Sequence, residues 1–204
     1  MTDGNGRWAD AAKLAAWTAV MTPLTILIHE LGHFSIGLAT GLSVELRPTS
    51  VSGGAEPGAA ADWLVALQAG AGPMMTVVMS LVFAALYKSD PRRLWALAGA
   101  VAAASRLLVT TAFLGMRLLL LVIGRPFQGT PNFDEHNVAR ALGLPPMLIA
   151  AAASLFLIAL YAWLLRRMPR GRRLPFVLAS IAGVAAGAVA WTALPPPVLL
   201  SVSA

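Results

Sequence analysis

Five apolar runs, at 11–40, 63–87, 94–123, 145–165 and 174–194, make up most of the chain and leave only short polar stretches between them. In about 30 Å of hydrocarbon an unpaired backbone amide has no water to turn to, so runs of this length are read as membrane-spanning helices. The expected fold is all-α, a polytopic transmembrane helical bundle of about five spans. The third run is the ambiguous one. It holds Ser105-Arg106 near its middle and reads either as one tilted helix or as two, which would give a sixth crossing. Composition agrees with the bilayer: 58% of the residues are hydrophobic and 12% charged, against about 25% charged in a soluble domain. An integral, multi-pass protein of the cell membrane is expected.

Near the end of the first run stands His29-Glu30-Leu31-Gly32-His33. On a helix, H-E-x-x-H places two imidazoles at i and i+4 on one face, within reach of one zinc ion, while the glutamate projects beside them as a candidate proton acceptor. The bland alternative is two core histidines at a coincidental spacing. Against it stands the cost of placing ionisable groups inside a membrane, which makes them functional by default. With no cysteine in the chain, zinc must be held by histidine and carboxylate. The run is also too long for the apolar segment of a signal peptide, and removing it would remove the motif.

The net charge of +6 does not point to nucleic acid, because the basic residues flank the apolar runs and are not interleaved with aromatics on a polar surface. They read as orientation signals and contacts to anionic lipid. Lys88, Arg92, Arg93, Arg166, Arg167, Arg170, Arg172 and Arg173, with Arg7 and Lys13, fall on one side of a five-span chain; Arg47, Arg125 and Arg140 fall on the other. The positive-inside rule then places the N-terminus in the cytoplasm and the C-terminus outside. It also puts the end of the first span and the later acidic cluster Asp134-Glu135-His136 on the same side.

Other segments carry smaller signals. Residues 42–58 alternate and then break at Pro48 and Gly53-Gly54, as a short surface strand or hairpin does; a plain loop is the alternative. An exposed edge there could pair with an extended peptide. Gly70-Ala71-Gly72-Pro73 reads as a kink and a place of close approach in the second span. Arg117 is expected to snorkel, and Arg106 to pair with a carboxylate or backbone carbonyls. Asn132 or Asp134 could cap a short helix through Leu142, and His136 could be a solvated interfacial residue.

The pentapeptide in an early span, Ala71-Gly72-Pro73 in the next and a later aspartate after Pro131-Asn132 together resemble the site-2 protease family of intramembrane zinc metalloproteases. The resemblance covers roughly residues 20–140. It implies an endopeptidase that cuts a transmembrane protein or peptide substrate, with His29, His33 and Asp134 as zinc ligands and Glu30 as general base. It departs from the family in lacking the glycine that usually follows the aspartate, and its charge count places the site on the side opposite the family's. Glu135, His136 and Glu56 remain alternatives for the third ligand. A non-catalytic metal- or partner-binding membrane protein on the same scaffold, or a small transporter with a proton relay, are the competing functions. On this reading 1–204 is a single membrane domain, with 1–10 a polar tail, 11–144 the metalloprotease-like core and 145–204 a C-terminal helical pair.

Overall fold

A computed structural model describes residues 4–55, 61–125, 133–145, 147–193 and 199–203. Its elements run α1 (Gly4–Ala39), β1 (Val44–Arg47), β2 (Ser50–Gly53), α2 (Asp62–Ser89), α3 (Leu94–Val122), α4 (Asp134–Ala141), α5 (Leu148–Arg167), α6 (Arg173–Thr192) and β3 (Leu200–Val202). Among the described residues, five helices are long and apolar enough to span a membrane: α1, α2, α3, α5 and α6. The third apolar run is one unbroken helix, so the five-span arrangement holds.

The first half of α3 forms the centre of the bundle. From Ala96 to Ala104 every residue is buried, and all but Leu97 and Val101 are alanine or glycine. Without a driving force separating Leu from lipid, small residues let neighbouring helices pack closely, and a helix buried on all sides belongs at the centre. Gly99 illustrates the fit, since a Cβ there would sit 2.7 Å from the Phe83 ring of α2. Beyond Arg117 the same helix turns leucine-rich and exposed, as a lipid-facing surface should.

α6 lies along α1 through a small-residue seam. A Cβ on Gly183 would stand 2.6 Å from Thr18 Cβ, and one on Gly187 would stand 2.5 Å from the Ala19 carbonyl oxygen. Ala19 is the residue whose carbonyl Pro23 deprives of its helical donor, four residues on. Helix α1 nonetheless continues through Pro23, and the hydroxyls of Thr18 and Thr22 satisfy themselves on the carbonyls of Leu14 and Thr18 at 2.8 Å. The C-terminal pair is thus part of the bundle, with α6 against the helix that carries the histidines.

One stretch differs from the sequence reading and another goes beyond it. Residues 1–10 were expected as a polar tail, yet α1 is helical from Gly4. Asp10 pairs with Arg172 at 3.2 Å and Ala11 and Leu14 are buried, so contacts to the α5–α6 turn fix the first turns. The hairpin expected at 42–58 is present as β1 and β2, and β3 joins it to make a three-stranded sheet in the order β2-β1-β3. Val44 and Leu46 bury against Phe34 of α1, and Gly37 makes room for Val44. Trp191 at the end of α6 donates to the Pro48 carbonyl at 3.2 Å, fixing the sheet to the same end of the bundle.

Candidate metal centre

His29 and His33 lie one turn apart on the inner face of α1, both buried. Facing them is a row on α2, Gln68, Gly72 and Thr76, spaced four residues apart and therefore on one side of that helix. The His33 Nδ1–H donates to the Gln68 carbonyl at 2.7 Å, and His29 Nδ1 meets the Thr76 hydroxyl at 2.8 Å. A carbonyl can only accept, so His33 carries its proton on Nδ1 and presents a bare Nε2 lone pair inward; the Thr76 contact suits the same tautomer of His29.

The third corner is Asp134, the first residue of α4. Its Oδ2 lies 3.0 Å from His29 Nε2 and 3.2 Å from His33 Nε2, and the two nitrogens are themselves 3.2 Å apart. Ligands about 2.0–2.1 Å from a tetrahedral zinc sit about 3.3 Å from one another, so this triangle has nearly the size that zinc needs. Three acceptors crowded at that distance repel unless a cation or shared protons lie among them. Gly72 supplies the space: a Cβ there would be 2.6 Å from His29 Nε2 and closer still to His33 Nε2. The donor set and the cradle both fit a divalent metal, and His29, His33 and Asp134 are the group among the described residues able to hold one.

The three adjacent candidates on α4 point to different places. Asp134 is not a helix cap: α4 has Phe133 at its N-cap with no side-chain cap, and the Asp134 carboxylate is committed to the imidazoles. Glu135 is buried against Thr110 of α3, and burial pushes its carboxyl pKa up. His136 is also buried, not a solvated residue, and its ring stands 6.0 Å from that of Phe133. Burial, with Arg140 and Arg117 nearby, pushes the His136 pKa down. Phe133 stacks edge-on against Phe113 of α3 at 4.6 Å, which fixes the rotation of α4 and so decides which side chain meets the histidines. Glu56 and Asn132 lie outside the described residues.

Glu30 turns to another neighbour. Its Oε1 accepts from Arg106 Nη2 of α3 at 3.0 Å, and the carboxylate side chain is only 4% exposed. Arg106 therefore pairs with a carboxylate, as its depth demanded. Arg117 stacks over the Phe113 ring at 5.8 Å. Glu30, His33, Arg106 and Asp134 line a cavity of about 430 Å³ whose outer wall is the β2 edge of the sheet, at Ser50 and Val51. Gln68 joins the two parts: its side-chain oxygen accepts from the Ala55 amide at 2.6 Å, just past the hairpin, while its own carbonyl orients His33.

Sequence reasoning missed Thr76 and the second role of Gln68. The signal was there as a polar, glycine, polar ladder at steps of four on an otherwise apolar helix. Comparison with protein-family models, with curated proteins and with solved structures gives no match to this chain.

Proposed function

We propose that this membrane protein is a zinc-dependent intramembrane endopeptidase, with His29, His33 and Asp134 as ligands and Glu30 as general base. The observation that carries the reading is the closed triangle of His29 Nε2, His33 Nε2 and Asp134 Oδ2, at 3.0–3.2 Å, beside a carboxylate in a shared cleft. When bound, zinc brings the pKa of water towards about 7 and polarises a carbonyl oxygen.

The chain's own residues do the rest. Thr76 and Gln68 hold the imidazoles in the tautomer that turns Nε2 inward. Glu30 accepts the proton of the attacking water and returns it to the leaving amine, and Arg106 fixes the direction in which that carboxylate points. The cleft admits water from the end of the bundle, which the bilayer core cannot supply. Among the described residues strand β2 is an edge of the sheet, and its outer backbone groups suit an extended substrate segment laid along the cleft. A substrate helix must unwind to present a carbonyl there, and helix-breaking residues near the cut favour that.

Glu30→Gln is the test. The variant is expected to keep its zinc, because both imidazoles and Asp134 remain, and to lose cleavage of a co-expressed transmembrane substrate by about 100-fold or more. Full turnover in that variant would remove the mechanism. The ion pair that occupies Glu30 favours a second reading, a metal site without hydrolysis. That reading predicts stoichiometric zinc and no cleavage in the wild type itself.

A further inference from the structure

At the opposite end of the bundle from the histidines lies a second cavity, of about 250 Å³, where the first turns of α1, the α2–α3 turn and the α5–α6 turn meet. Its charged lining is uneven. Arg7, Arg167 and Arg172 contribute three guanidinium groups against the single carboxylate of Asp10. That carboxylate is taken by Arg172 at 3.2 Å. Arg167 stacks on Trp163 at 4.6 Å, and Arg7 reaches only the Gly171 carbonyl, at a long 3.4 Å. Arg7 Nε is buried with no hydrogen-bond partner among the described residues, an expensive state for a cationic donor. Among the described residues, two guanidinium groups thus line the cavity without an anion.

The floor has the opposite character. Leu14, Leu94, Leu97 and Phe176 line it, and all but Leu94 are buried residues of the bundle. Trp8, next to Arg7 and 56% exposed, is the kind of side chain that settles at headgroup level. A ligand that satisfies both halves carries an oxyanion at one end and hydrocarbon at the other. We propose that this cavity binds one anionic phospholipid, its phosphate held by Arg7 and Arg167 and the start of an acyl chain lying over Leu94, Leu97 and Phe176. Paired N–H groups on a planar fork suit a phosphate better than a lysine would, and basic pockets between spanning helices are suited to lipid headgroups. Free phosphate shares the oxyanion but has no use for the floor. The inference stands apart from the hydrolase reading, because no residue of the cavity belongs to the metal centre.

The test uses full-length protein in a neutral detergent, titrated with phosphatidylglycerol, phosphatidylcholine or inorganic phosphate. Bound lipid is counted by native mass spectrometry and stability is followed by thermal unfolding. Wild type is expected to hold one phosphatidylglycerol, at least about tenfold tighter than phosphatidylcholine, and inorganic phosphate at millimolar levels is expected not to displace it. Arg7→Gln with Arg167→Gln is expected to weaken that binding by about tenfold or more. Arg92→Gln with Arg166→Gln removes the same charge from exposed positions outside the cavity and is expected to change it less than twofold. Equal loss in the two double variants would reduce the effect to general attraction at a basic rim and overturn the site. Displacement by inorganic phosphate, or equal binding of phosphatidylcholine, would overturn the lipid assignment. If the cavity variant does not fold, these two wild-type comparisons decide the matter.

Discussion

Gly72 holds the space on which the candidate metal centre depends. Any side chain there enters the place where the two Nε2 atoms converge, so Gly72→Ala is expected to leave the helices intact and abolish stoichiometric zinc, read as metal content of the purified protein against circular dichroism. Retained zinc in that variant would mean that the metal does not sit between the histidines. The choice among Asp134, Glu135 and His136 is made at the same scale. A two-histidine remnant holds zinc weakly, so Asp134→Ala is expected to lose most of its zinc at micromolar protein, whereas His136→Ala keeps it. The reverse result would place the third ligand two residues further along α4. Zinc retention in the wild type is expected to fall as the pH drops below about 6, because protons compete for the imidazoles.

At the scale of elements, the position of α1 depends on α6 as much as on α2. Gly183 and Gly187 press against Thr18, Ala19 and Thr22, and the same helix carries His29 and His33 about two and three turns beyond Thr22. Gly187→Leu inserts a side chain where even a Cβ has no room, and is expected to cost about 1–3 kcal/mol of stability, visible as a lowered unfolding temperature in detergent. An unchanged unfolding temperature would mean that the α1–α6 seam opens without cost. The sheet is the other organising element. β3 covers one edge of β1 and β2 leaves its own edge along the cleft, so β3 closes the side of the sheet away from the histidines.

For the whole molecule, the bundle sorts its charge by end. The α1 start, the α2–α3 turn and the α5–α6 turn converge at the arginine-lined cavity, while the sheet and α4 gather at the other end with the candidate metal centre. A positive-inside orientation would place the arginine end in the cytoplasm and the cleft nearer the outer face, and this is the topology we propose. Because the chain has no thiol, single cysteines report this cleanly. In intact cells a membrane-impermeant maleimide is expected to label Ser52→Cys and not Arg170→Cys. The opposite pattern would reverse the topology and move the cleft to the cytoplasmic half.

The sequence by itself determined the spans, because a bilayer core admits few alternatives for a long apolar run, and it determined that His29 and His33 face one side of α1, because residues four apart on a helix share a face whatever the helix packs against. It also placed the arginines, since their position relative to the runs is a linear property. Tertiary structure decided everything that depends on rotation and contact between helices. That Asp134 and not His136 meets the imidazoles follows from how Phe133 packs on Phe113, and that Arg106 chooses Glu30 follows from α3 lying at the centre. Gly72 reads as a kink in the sequence and as the room kept for two imidazoles in the fold, for the same reason: the space beside a glycine means nothing until another element fills or surrounds it.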